Sequence, residues 1–131
     1  MMKYIILFFL TCFFNLAIFS QIQKFDYPKM ISEAFQYLKD EEFKKAAYTY
    51  TKAFKLNGDK GKVYDRYMCA ICWAKVKNTD STLSQLEKIA FIGKFSHYEL
   101  VDADEAFYYL RDNKRLNIII DKMKENYKNL R

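Results

Sequence analysis

The chain holds one proline and three glycines among its 131 residues. Sheets built from many tight turns draw on both residues, so their scarcity weighs against an all-β fold and favours helices. No segment alternates apolar and polar residues strictly for long, and no strand is predicted. Histidine is nearly missing as well: His97 stands alone, with no nucleophile motif or orienting group beside it to suggest a triad. Cysteine is limited to three residues, one of them inside an N-terminal apolar run. Apolar side chains are not scarce. They make up 51% of the chain, with 18% aromatic, far from the composition of a disordered segment. Lys and Arg number 22 against 16 Asp and Glu, for a net charge of +6 on a length that suits one domain.

The N-terminus reads as a separate object. Lys3 supplies a positive start, Tyr4 to Phe19 form an apolar stretch broken only by Thr11 and Asn15, and Ser20 is a small residue before Gln21. Charge, apolar run and small residue in that order describe a secretory signal peptide over residues 1–20, with an uncleaved anchor as the alternative. The run is short for a membrane span, which takes about 20 apolar residues, so no span is expected after cleavage. Cys12 invites a lipoprotein reading. Thr11 directly before it and the long apolar continuation after it argue against that.

Residues 21–131 are expected to form a single all-α domain. Tyr27-Pro28 opens a first helix with Ile31, Ala34, Phe35 and Leu38 on one face. Asp40 is the expected cap of a second helix, with Glu41 and Glu42 in its first turn. Its apolar stripe is Phe43, Ala46, Ala47, Tyr50, Ala53 and Phe54, and Asn57-Gly58 stops it. A third helix, from about Lys62 to Val76, is apolar nearly all round through Tyr64, Tyr67, Met68, Ala70, Ile71, Trp73 and Ala74. Such a helix belongs in the middle of a stack. Asn78 to Asp80 are expected in a turn, followed by a fourth helix carrying Leu83, Leu86, Ile89 and Ala90 and stopping at Gly93. Lys94 to Val101 look less regular. Asp104 caps a predicted short helix with Ala106, Phe107 and Leu110 inward. Asn113 caps a last one with Leu116, Ile119, Ile120, Met123 and Tyr127 as its stripe.

The chain is also similar to itself. Ala34, Tyr37, Ala46, Tyr50 and Ala53 are spaced by three, nine, four and three residues; Ala70, Trp73, Thr82, Leu86 and Ile89 have the same spacing, 36 residues later. Small residues let two helices approach closely, and large ones fill the space beside them. This spacing resembles the tetratricopeptide repeat (TPR), a helix–turn–helix unit of about 34 residues. The resemblance implies repeats at 27–60 and 61–94, stacked in a right-handed superhelix, with residues 95–131 as C-terminal capping helices. That C-terminal half is similar to the tail that follows such repeats in many exported bacterial proteins, through Tyr67-Met68-Cys69-Ala70, Gly93-Lys94-Phe95, Tyr98-Glu99, Asp104 to Leu110 and Arg111 to Leu116. It departs from them in having Glu105 and Lys114 where the tail often carries proline. Two repeats are fewer than the three or so that usually bury a continuous core. The last two helices are expected to stand in for the third, with homodimerisation as the alternative.

Other features read more plainly as structure. Cys69 and Cys72 form a C-x-x-C, but in mid-helix, away from the helix start where the dipole activates such thiols. Packing is the expectation, with a disulfide or redox sensitivity as the alternative. No further Cys or His accompanies them to complete a metal site, and His97 is expected to be solvated or capping. Asp102, Asp104 and Glu105 lack the Gly and terminal Glu of a calcium loop and fit a helix start. Lys39, Lys44, Lys45, Lys52 and Lys55 alternate with acidic or polar positions, which describes a solvated face, attraction to anionic surfaces being the alternative.

No catalytic residue, metal or cofactor is predicted. TPR-like proteins commonly hold ligands in the groove lined by the first helix of each hairpin. That resemblance nominates Ile31, Phe35, Leu38, Lys39, Tyr67, Ile71, Ala74 and Lys75, unless the chain's own C-terminal helices fill the groove. An apolar groove with two lysines at one end suits a peptide. The expected function is a non-enzymatic scaffold for a protein or peptide partner, exported to the periplasm or the exterior of a bacterium and without nucleic-acid binding. The alternative is an assembly subunit acting by homo-oligomerisation.

Overall fold

A computed structural model describes residues 25–131. Residues 1–20, expected to be a signal peptide, and Cys12 within them lie outside the described residues. Every regular element described is helical: α1 (Tyr27–Lys39), α2 (Phe43–Leu56), α3 (Val63–Lys75), α4 (Thr79–Glu87) running into a π-helical turn (Lys88–Ile92), α5 (Tyr98–Ala103), a 3-10 helix (Glu105–Leu110) and α6 (Lys114–Lys128). No described helix is long and apolar enough to cross a membrane.

Each of the first four helices packs on its neighbour in the chain: α1 on α2, α2 on α3, α3 on α4. The elements recur with one offset. α1 begins at Tyr27 and α3 at Val63; α2 begins at Phe43 and α4 at Thr79; α2 ends at Leu56 and the π-helical turn at Ile92. Each pair is 36 residues apart, the offset already visible in the side chains. The turns match as well. In the first, the backbone N–H groups of Glu41 and Glu42 donate to the carbonyls of Leu38 and Tyr37 at 3.1 and 2.9 Å; in the second, Lys77 and Asn78 donate to Ala74 and Trp73 at 2.9 and 2.9 Å. Glu41 and Lys77 are both left-handed, with φ of 58° and 59°, and so are Gly58 and Lys94 at the next equivalent pair. Of the ten residues in the two ladders, nine are buried and Tyr37 is half-buried.

Two core clusters share α3. One joins Tyr67, Ala70 and Ala74 to Leu83, Leu86 and Ile89 of the fourth helix, to Phe107 and Leu110, and to Leu116, Ile119, Ile120 and Met123 of α6. The other joins Cys69, Cys72 and Trp73 to Ala34, Ala46, Ala47, Tyr50 and Phe54. Met68 touches both. This agrees with an α3 covered on several sides, except at Tyr64, which is exposed.

Two sequence expectations need correction. Asp40 does not cap α2: it closes α1, and Glu42 precedes α2 without a side-chain cap bond. The left-handed Glu41 adds one turn residue between them. Asn78 to Asp80 are not a turn: Asn78 caps α4 by accepting from Ser81 N–H at 3.0 Å, and Thr79 and Asp80 are its first residues. Lys94 to Val101, expected to be less regular, run without a helix to His97 and enter the short α5 at Tyr98. Asp104 and Asn113 do cap their helices, accepting from Ala106 N–H and from Arg115 and Leu116 N–H.

Candidate functional site

The eight groove residues fall into two environments. Ile31, Phe35, Leu38 and Lys39 come from α1; Tyr67, Ile71, Ala74 and Lys75 are their counterparts 36 residues on, in α3. Lys39 and Lys75 are exposed, and Ile31, Leu38 and Ile71 are half-buried. Tyr67 and Ala74 are buried. The C-terminal segment occupies the space beside Tyr67. Its ring packs against Phe95 and Phe107, and its hydroxyl donates to the Leu100 carbonyl and the Asp104 carboxylate, both at 3.2 Å. Burial, and then the Asp104 charge, push the Tyr67 phenol well above its ordinary range. On the α3 side, the chain's own residues therefore fill the interval.

On the α1 side the interval is open. A cleft of about 320 Å³ lies between α1 and the start of α3, lined by Tyr27, Pro28, Ile31, Ser32, Phe35, Tyr50, Lys62, Tyr64 and Asp65. Phe35 is 40% exposed and Tyr64 59%. Tyr50 is buried, its ring stacked near Phe54 with centroids 6.2 Å apart. Of the nominated residues, the cleft brings together Ile31 and Phe35.

Asp65 is the residue that sequence reasoning missed. It lies in the first turn of α3, where the helix dipole favours a carboxylate. Only 7% of it is exposed. The Tyr27 hydroxyl donates to Asp65 Oδ2 at 2.8 Å, and the Lys62 backbone N–H donates to the Tyr27 oxygen at 3.4 Å. Burial and the bond to Asp65 raise the Tyr27 phenol to about 12, so it stays protonated as a donor. No described cationic side chain pairs with Asp65. Its chain neighbour Arg66 turns the other way, donating to Gln85 Oε1 at 2.9 Å and the Asp59 carbonyl at 2.6 Å and covering the Phe54 ring. The sequence signal was a single acid next to Tyr64, with nothing local to mark it as buried.

A wider depression of about 740 Å³ lies at the α1–α2 turn, lined by Tyr37, Phe43, Tyr48 and Val76 among Glu41, Glu42, Lys44 and Lys45. Its charges are mixed, and Lys45 already pairs with Glu42. The remaining motifs are accounted for structurally. Cys69 and Cys72 are fully buried free thiols, raised to about 12 by burial. His97 is exposed, precedes α5 without a side-chain cap bond, and rests against Phe95. Among the described residues, no three His, Cys, Asp or Glu side chains come together as a metal site. Comparison with protein-family models, with characterised proteins and with solved structures found no match for this chain.

Proposed function

We propose that the chain is an exported, non-enzymatic interaction module built on two TPR-like repeats, and that it holds a segment of a partner protein in the cleft between α1 and α3. The single 36-residue offset supports the repeat reading: helix bounds, turn hydrogen bonds, left-handed positions and buried ladders all share it. The observation that carries the binding reading is the contrast between the two intervals. Beside Tyr67 the chain fills its own groove; beside Ile31 it leaves Phe35 and Tyr64 facing a cleft. Exposed aromatics around a concavity are the usual anchors of protein recognition.

A display selection of random peptides against the full chain tests this. Peptides should be enriched that bind in the micromolar range and lose at least about tenfold affinity with Phe35→Ala plus Tyr64→Ala. Both side chains are substantially exposed, so the double variant should melt within a few degrees of the parent. An enriched set indifferent to the double variant would remove the cleft from the proposal.

A second reading rests on a separate surface. Phe91 and Ile92, in the π-helical turn, are 50% and 78% exposed, an arrangement that also suits an assembly subunit meeting its own copies. Light scattering separates the two readings, since a monomer at high concentration removes self-assembly.

A further inference from the structure

We infer that the cleft between α1 and α3 selects a cationic side chain, lysine or arginine, on the partner segment. The inference rests on the peptide-binding reading above and adds the chemistry of the anchor. A carboxylate buried without a cation is costly unless something compensates it. Asp65 has two compensations within the chain: the Tyr27 hydroxyl on Oδ2 and the positive end of α3. Oδ1 is different. No described residue donates to it, yet among the described residues no side-chain oxygen is both sealed from solvent and unpartnered, so Oδ1 keeps some exposure. Asp65 also lines the cleft. We take that cleft, which Tyr27, Phe35 and Tyr64 also line, as the side from which Oδ1 is reached.

A carboxylate in a cleft lined by aromatic rings can accommodate a desolvated cation. The ring quadrupoles attract the charge, the carboxylate neutralises it, and the apolar stem of lysine or arginine packs along Ile31 and Pro28. Charge complementarity also discriminates among partners. An acidic residue would meet Asp65 with like charge, an apolar one would leave Oδ1 without a donor, and a neutral polar one would leave the carboxylate's charge uncompensated. Lys62 at the rim and the net charge of +6 oppose a cationic segment at long range. Selectivity must then come from short-range contact in the cleft, and binding should not weaken steeply as salt rises.

The test uses the peptides selected against the full chain. Those that depend on Phe35 and Tyr64 should share one lysine or arginine. Replacing it by norleucine or citrulline should weaken binding by about tenfold or more. Asp65→Asn keeps an oxygen for the Tyr27 hydroxyl and removes the charge. It should abolish the preference for the cationic peptide over its neutral analogue. A purely structural Asp65 would lower the melting temperature and leave that preference intact. Cleft-dependent peptides that share no cation, or a preference that survives Asp65→Asn, overturn the inference and leave the peptide-binding reading standing. A selection with no cleft-dependent peptide overturns both.

Discussion

Gly58 and Gly61 lie three residues apart in the connection between α2 and α3, and an added methyl group meets a different obstacle at each. Gly58 has φ of +67° and open space around it, so Gly58→Ala strains only the backbone, by about 1 kcal/mol. Gly61 has no such constraint. A Cβ there would lie 2.6 and 2.7 Å from Phe54 ring carbons and 3.3 Å from Arg66 Nε. Phe54 is fully buried beneath the Arg66 guanidinium, which lies 4.5 Å from its ring centre, so both side chains must shift to admit the methyl group. Gly61→Ala is expected to cost about 1–3 kcal/mol by overpacking, more than Gly58→Ala. Urea denaturation of the two variants checks the order, and equal midpoints would contradict the packing argument.

At the scale of elements, the π-helical turn shows how the fourth helix meets α6. Its wider winding sends the Gly93 N–H to the Lys88 carbonyl and the Phe95 N–H back to Ile89. Asn126, buried on α6, supplies the donors that follow, giving its amide to the Ala90 carbonyl at 2.7 Å and the Phe95 carbonyl at 2.9 Å. Arg115 secures the other end of α6 through a two-pronged pair with Glu87 at 2.6 and 2.7 Å, and lowers the Glu87 carboxyl from its ordinary value. The two attachments differ in weight. Arg115 and Glu87 are partly exposed, where such pairs contribute at most about 1 kcal/mol. Asn126→Leu leaves two carbonyls without their donor and is expected to destabilise by about 1–3 kcal/mol, whereas Arg115→Gln should lose less. Amide exchange along α6 checks this: Asn126→Leu should speed exchange at Ile119 to Met123, and Arg115→Gln should not.

Across the described residues, buried thiols and phenols shape the response to alkaline pH. The thiols of Cys69 and Cys72 rise from 9.0 to about 12, chiefly by burial. Tyr27 rises from 10.0 to about 12, and Tyr50 and Tyr67 are displaced further upward, in each case by burial first. The folded chain thus keeps protons that the unfolded chain releases, so stability falls as pH rises through this range. The contribution is intact below about pH 9 and is lost progressively towards pH 12. These groups are spread over both core clusters, so the loss should appear as one cooperative transition moving to lower urea between pH 9 and 11. A midpoint constant over that interval would contradict the burial of these groups.

Much of the helical framework was legible in the chain because it is written in local terms. The period of Ala46, Tyr50, Ala53 and Phe54, the caps at Asp104 and Asn113, and the stop at Asn57-Gly58 need only neighbours a turn or two away. The 36-residue offset is likewise a property of the sequence, and the side-chain ladders show it before any fold is known. The turns were harder. Glu41, Lys77 and Lys94 adopt left-handed backbones that usually favour glycine, so their positions carry no compositional mark. The candidate site was the least legible part. Ile31 and Tyr67 are separated by the same 36-residue offset, yet one borders an open cleft and the other is buried under residues from positions 95 to 107. Asp65 reads as an ordinary acid in a helix's first turn, and its burial follows from α1 laying Tyr27 across it. Periodicity says which side of a helix is apolar; which distant segment comes to cover that side depends on long-range packing, and that packing determines which interval stays open.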